Sequence, residues 1–69
     1  MKIRYDSDAD AVYIKLRDVE IAKTKKVDDY TILDYDKAGN LVGIELLFVS
    51  EQNPNLLKEF KVENLLQRV

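Results

Sequence analysis

The N-terminal part of the chain alternates between apolar and polar residues in two short runs. Ile3 and Tyr5 alternate with charged residues in the first run, and Val12, Ile14 and Leu16 alternate with polar residues in the second, "AVYIKLR". A period of two is typical of a β-strand with one buried face. The intervening "DSDAD" favours a turn because Asp and Ser side chains bond nearby backbone groups. The pattern predicts a hairpin in which Tyr5 faces Val12 and Ile3 faces Ile14.

Two further apolar segments, "YTILDY" and "LVGIELLFV", flank the short polar stretch "DKAG". A type I turn with Gly39 as a left-handed bulge residue would join them as a second hairpin. That turn pairs Tyr35 with Leu41 and Ile32 with Ile44. The stretch around "KTKK" has no apolar period, and we interpret it as a solvated connection or as the ragged start of the third strand.

The C-terminal segment carries a helical signal. Asn53 suits an N-cap, Pro54 suits the first helical position, and Leu56, Leu57 and Phe60 form an apolar stripe. We expect one helix over residues 54–68, kinked near residue 61, or two shorter helices. The predicted fold is α+β, a four-stranded antiparallel β-meander with this helix packed on one face. The predicted strands cover residues 2–6, 11–17, 28–35 and 40–49.

Composition narrows the function classes. With 69 residues the chain is predicted to form a single domain over residues 1–69. It contains no histidine and no cysteine, which removes the usual general base, thiol nucleophiles and imidazole or thiolate metal sites. We therefore expect no enzymatic activity and no cofactor. The start "MKIRYD" is not a signal peptide and no long apolar run is present, so we expect a cytoplasmic protein without membrane contact.

Acidic residues cluster in the two turns. The segment "DYDKAGNLVGIE" fits most positions of a calcium-binding loop, but Ala38 breaks the pattern and both flanks have strand character rather than helical character. We interpret it as a β-turn, and weak divalent-cation binding at the acidic loops remains an alternative. A carboxylate at Asp34 would lie near Val42 on the core side, where it needs partners, and we expect a tether to the "DSDAD" loop or to the helix. The residues predicted to serve structural polar roles are Asp6, Asp10, Asp34 and Gly39.

Two blocks of the sequence also carry a family resemblance. "YDSDADAVYIKL" followed by "ILDYDKAGNLVGIELL" resembles the prokaryotic family named domain of unknown function 2283, over residues 3–49. The resemblance implies a small β-meander with a C-terminal helix and no assigned catalytic activity. It also implies a candidate antitoxin, since relatives are often encoded beside small toxin-like proteins.

Both faces of the predicted sheet carry apolar residues, although one helix can cover only one face. We therefore expect a protein-interaction module that is antitoxin-like or homodimeric, unless the C-terminal segment splits and covers both faces. The predicted interaction face consists of Tyr13, Leu33, Tyr35, Leu41, Leu47 and Val49. Nucleic acid is not the expected partner, because the net charge is −2 and the pI is about 5.0. The alternative is nucleic-acid binding through a basic face with an aromatic residue among its cations, formed by Lys2, Arg4, Tyr13 and Lys15.

Overall fold

A computed structural model describes residues 1–55 and residue 58. In this part of the chain five strands precede a short helix. They are β1 (Lys2–Asp6), β2 (Ala11–Lys15), β3 (Lys23–Asp28), β4 (Thr31–Tyr35) and β5 (Leu41–Leu46), followed by α1 (Val49–Gln52). The α+β class and the antiparallel sheet are confirmed. The predicted helix over residues 54–68, including its kink, falls largely outside the described residues.

The strands form one antiparallel sheet in the order β1-β2-β5-β4-β3. The prediction of a four-stranded meander is therefore wrong in both the number and the order of strands. In a meander the strand after β2 would pair with β2, whereas here β5 lies between β2 and β4. The chain crosses from β2 to the far edge, forms the β3–β4 hairpin there and returns through β5 to the centre.

The predicted third strand over residues 28–35 is in fact the end of one strand, a turn and a second strand. The Asp28 carboxylate accepts the backbone N–H of Tyr30 at 2.8 Å, which closes a tight turn between β3 and β4. All six residues of β3 are exposed. Strand β3 lacks an apolar period because it is an edge strand, and its lysines suit an edge that must not pair with other chains.

A bulge in β5 changes the predicted register between β4 and β5. Tyr35 pairs with Leu41 as expected, but Asp34 pairs with Gly43, so Val42 is an extra residue in the ladder. Beyond the bulge Leu33, not Ile32, pairs with Ile44. A slip of one residue moves side chains to the opposite face, so every residue of β4 before Tyr35 has a different neighbour from the predicted one.

The first hairpin has the predicted register. Ile3 pairs with Ile14 and Tyr5 pairs with Val12. In the connecting turn, one oxygen of the Asp6 carboxylate accepts the backbone N–H groups of residues 8 and 9, at 3.0 and 3.3 Å. This is the turn chemistry expected of "DSDAD".

The described part of the molecule has a small apolar core. Its buried apolar side chains are Ala11, Val12, Val42 and Val49. Phe48 precedes α1 in a left-handed conformation, and its ring meets Tyr30 edge to face with centroids 6.1 Å apart. None of the helices in the described residues is long and apolar enough to cross a membrane.

Candidate functional site

Two neighbouring rows of side chains cross one face of the sheet, which we call the polar face. One row contains Lys2, Lys15, Gly43, Asp34 and Thr24, in the order in which they pair across the five strands. The other contains Arg4, Tyr13, Glu45, Ile32 and Lys26. Paired residues of an antiparallel sheet point to the same side. The predicted grouping of Lys2, Arg4, Tyr13 and Lys15 on one face is confirmed as geometry.

Gly43 leaves a gap in the middle of this face. Because it has no side chain, the Tyr13 ring leans across β5 and its hydroxyl donates a hydrogen bond to Asp34 Oδ2 at 2.9 Å. The end of the ring lies directly over Gly43. Glycine inside a strand often marks a close approach by another group. Here the approaching group is the Tyr13 side chain on β2, which crosses β5 to reach Asp34 on β4.

Asp34 lies on the polar face and is nevertheless buried, with 8% of its surface exposed. Thr24 Oγ1 donates a second hydrogen bond, to Asp34 Oδ1, at 2.7 Å. Each oxygen of the carboxylate therefore has a hydroxyl partner, and the three side chains connect β2, β4 and β3 across the polar face. The prediction that Asp34 is paired is confirmed, but its expected partners in the "DSDAD" loop or the helix are replaced by Tyr13 and Thr24.

This arrangement changes the acidity of Tyr13. Burial, and next the hydrogen bond to Asp34, raise the pKa of the Tyr13 hydroxyl above its ordinary value. The negative charges of Asp34 and Glu45 act in the same direction, while Arg4 opposes them. Tyr13 therefore stays protonated at neutral pH and remains a hydrogen-bond donor.

The Tyr13 ring, which covers Gly43, borders a groove of about 500 Å³ on the polar face. Its walls combine cations at one end, carboxylates at the other and an apolar side. The lining residues are Lys2, Arg4, Tyr13, Lys15, Ile21, Asp34 and Glu45. A volume in this range is typical of small-molecule sites in proteins.

The chain matches a family model over most of its length. The model is described as "Protein of unknown function (DUF2283)" and it matches residues 2–50. The chain belongs to the DUF2283 family. No curated protein and no solved structure matches it. The segment of this DUF2283 protein that matches the model contains all five strands and every residue that lines the groove.

Asp10, within the segment that matches the DUF2283 model, holds the start of α1. Its carboxylate accepts the backbone N–H of Ser50 at 3.1 Å and the Ser50 hydroxyl at 2.7 Å, and its carbonyl accepts the N–H of Val49 at 3.0 Å. The Tyr5 hydroxyl also donates to Asp10, at 3.0 Å. Hydrogen bonds from Ser50 lower the pKa of Asp10, against a smaller opposing effect of burial. Asp10 therefore joins the first turn to α1, a structural role of the predicted kind.

The "DKAG" turn has the predicted form. Gly39 adopts a positive φ of 88°, and Asp36 and Asn40 pair through their backbones at 2.9 Å. The Asp36 carboxylate accepts the N–H groups of Ala38 and Asn40, and the latter bond is the main cause of a lowered pKa of Asp36. Strands, not helices, flank the segment. Within residues 1–55 and 58, no three acidic side chains are grouped so that they could hold a metal ion.

The six residues of the predicted interaction face do not share one face. Leu33 pairs with Ile44, which in turn pairs with Ile14. Leu33 therefore lies on the opposite face of the sheet from Tyr13. Tyr35 and Leu41 pair with each other and follow Leu33 by alternation along β4. Val49 is fully buried, and Leu47 lies just beyond β5, where its N–H binds the Tyr30 carbonyl. The predicted face is wrong as a single surface, because the bulge at Val42 reverses the side on which β4 presents its residues.

Sequence reasoning missed two participants in these networks, Thr24 and Ser50. Thr24 lies in a segment without apolar period, and Ser50 lies 40 positions away from Asp10. No local pattern could have paired them. The close approach at Gly43 did have a signal, because an isolated glycine inside a strand pattern favours a bulge or a close contact.

Proposed function

We propose that this domain is a non-enzymatic protein-interaction module that docks a protein surface on the apolar face of its sheet. The observation that supports this concerns residues 1–55 and 58, in which the buried apolar core is small while apolar side chains at one end of a sheet face stay exposed. The partner is a second copy of the chain or a separate protein. The antitoxin role implied by the family resemblance is the specific form that we propose for a separate partner.

The apolar face lies opposite the polar face. Its residues pair with one another across the strands. It consists of the buried Val12, the exposed Ile3 and the half-buried Tyr5, Ile14, Leu33, Ile44 and Leu46. Leu16 and Met1 continue the same alternation at one end of the first hairpin, and both border one shallow depression. Ile3 and Leu16 keep 40% and 39% of their surface exposed, and Met1 keeps 84%.

Exposure on this scale is unfavourable in water. Burial of apolar surface contributes about 25 cal/mol per Å², so a partner that covers these side chains gains stability from each one. Isolated exposed apolar residues are normal, but adjacent ones on one sheet face are typical of interaction sites. Met1, Ile3 and Leu16 form such a group at the β1 edge.

The test compares two lysine substitutions in the full chain. Leu16→Lys places a charge in the apolar face, whereas Val27→Lys places one on the β3 edge, where Val27 is 53% exposed at an irregularity of the ladder. Self-association is measured by analytical ultracentrifugation over a range of concentrations. Complex formation with the product of the adjacent gene is measured by co-expression and gel filtration. Circular dichroism checks the fold of both variants.

We expect the original chain and Val27→Lys to form the same dimer or complex, and Leu16→Lys to lose it. If Leu16→Lys associates as strongly as the original chain, the apolar face is not the docking surface. A chain that stays monomeric at every concentration and does not bind its neighbour's product contradicts the proposal as a whole.

A further inference from the structure

We propose that the groove on the polar face binds a purine mononucleotide, with guanine as the preferred base. This inference is independent of the proposed interaction face, because the two sites lie on opposite sides of the sheet. It rests on three features of the groove: a cationic end, an aromatic ring along its wall, and a carboxylate, Glu45, that forms no hydrogen bond or ion pair with another described side chain.

The cationic end suits a phosphate group. Lys2 and Lys15 pair directly across β1 and β2, and Arg4 is the next residue of β1 on the same side. Like charges directly opposite each other destabilise a sheet, and an anion between them removes that cost. Lys15 has an exposed contact with Asp18 at 3.2 Å, and the charge of Lys2 also helps to lower the pKa of Asp18. Lys2 and Arg4 lie beyond ion-pair distance of the described carboxylates. Two cations are therefore available to a phosphate.

The middle of the groove suits a planar base. The groove is bordered by the Tyr13 ring, which covers Gly43, and by Ile21, which is 44% exposed. The hydrogen bond to Asp34 holds the Tyr13 ring in place, so a stacked base would meet an ordered surface. Stacking of a base on an aromatic side chain stabilises many nucleic-acid complexes.

Glu45 gives the groove its preference among bases. It pairs with Tyr13 across β2 and β5, so its carboxylate lies beside the ring on the side away from Arg4. An ionised carboxylate only accepts hydrogen bonds, and it has two oxygens. The pairing edge of guanine offers two adjacent donors, N1–H and N2–H, whereas the edge of adenine offers one donor beside an acceptor. Guanine therefore satisfies Glu45 and adenine does not.

The same geometry favours a single nucleotide over a strand. Cations occupy one end of the groove only, while Asp34 and Glu45 occupy the other. A long polyanion would have to pass these carboxylates on a chain whose net charge is −2. One phosphate and one base use the groove without that repulsion.

The experiment measures binding of GMP, AMP, inorganic phosphate and a single-stranded oligoguanylate to the full chain by isothermal titration calorimetry. Amide chemical-shift changes in NMR locate the site. Four proteins are compared, namely the original chain, Arg4→Gln, Glu45→Gln and the control Lys25→Gln. Lys25 is an exposed strand lysine that pairs with Leu33 on the opposite face.

We expect GMP to bind about tenfold more tightly than AMP, because a charged hydrogen bond contributes at least the 1.4 kcal/mol that corresponds to a factor of ten. Glu45→Gln should remove this preference. Arg4→Gln should weaken both nucleotides about tenfold, and Lys25→Gln should leave both unchanged. Shift changes should fall on Tyr13 and its neighbours.

Other results overturn the proposal. Equal binding of inorganic phosphate and GMP would mean that the groove does not read the base. An affinity that rises with oligonucleotide length would identify a strand-binding surface instead of a mononucleotide site. Absence of binding by GMP, or shift changes confined to the apolar face, would exclude the site without affecting the proposed interaction module.

Discussion

The substitution Gly43→Ala tests whether the crossing of Tyr13 over β5 holds the sheet together. A Cβ at position 43 would lie 2.6 Å from Cζ of Tyr13, closer still to the hydroxyl, and 3.2 Å from the Ile14 carbonyl oxygen. The ring must therefore move away. When it moves, its hydroxyl no longer reaches Asp34, and a carboxylate with 8% exposure loses one of its two side-chain donors.

The free energy of unfolding should fall through two effects, a lost hydrogen bond and overpacking, and both arise from the contact between the new Cβ and the Tyr13 ring. Loss of a partner by a buried polar group costs about 1–3 kcal/mol, and overpacking costs a similar amount. Replacing glycine also restricts the unfolded chain, which offsets about 0.4–1 kcal/mol. When the ring moves, the overpacking is relieved but the hydrogen bond is lost, so the two costs do not add. We therefore expect the free energy of unfolding to fall by about 2 kcal/mol. That loss corresponds to a decrease in Tm of about 8–16 °C for a domain of this size.

The assay is urea unfolding of a double-mutant cycle, with Gly43→Ala introduced into the original chain and into Tyr13→Ala. Without the ring, alanine at position 43 meets open space on that side, so we expect its cost to fall to about zero and the coupling energy to be about 2 kcal/mol. Gly39→Ala is the matched control. Nothing lies within 4 Å of a Cβ there, but the φ of 88° makes alanine unfavourable, so its cost should be the same in both backgrounds.

One result would refute this reasoning. If Gly43→Ala destabilises the Tyr13→Ala protein as much as the original chain, the glycine is required by the backbone alone. The contact between the Tyr13 ring and position 43 would then contribute nothing to the hydrogen bond with Asp34.

Two further predictions concern pH. The pKa of Asp10 is lowered in the folded state, so its contribution to stability is present above the unfolded value of about 3.9 and is lost as pH falls through the lower folded value. In urea unfolding between neutral and strongly acidic pH, the stability of Asp10→Asn should therefore decline less steeply than that of the original chain. Equal slopes would contradict the contact with Ser50. The pKa of Tyr13 is raised, so its contribution is present below about 10 and is lost as pH rises through the folded value. Burial also raises the pKa of Tyr5, so Tyr13 is followed in the difference between the tyrosinate titrations of the original chain and Tyr13→Phe. That difference should titrate above about pH 10, and a difference that titrates at or below about 10 would contradict the hydrogen bond to Asp34.

Local patterns predicted the parts of the fold that depend on neighbours in the chain. The alternation around Ile3 and Val12 gave the correct register of the first hairpin, because only that register puts both apolar sets on one face. The turn at Gly39 was also predictable, since few residues other than glycine adopt its positive φ. Asp6 bonds the backbone of its own turn, which its residue type favours.

Strand β3 shows where such patterns fail. Lys25 and its neighbours carry no apolar period, because an edge strand with no buried residue needs none. The strand exists because its backbone pairs with β4, and that pairing is a property of the sheet rather than of the segment. The strand order failed for a related reason, since several antiparallel orders satisfy the same alternation and the order depends on which strands pack in the centre.

The candidate site depends on both levels. The residue types on the polar face were visible in the sequence, and a strand period of two was enough to place Lys2, Arg4, Tyr13 and Lys15 together. The groove was not visible, because it requires Gly43 to lie between Lys15 and Asp34 in one row. That row forms only because Val42 is an extra residue in the ladder. One inserted residue therefore decides which side chains share a face, since side chains in a strand alternate sides and a bulge reverses the alternation.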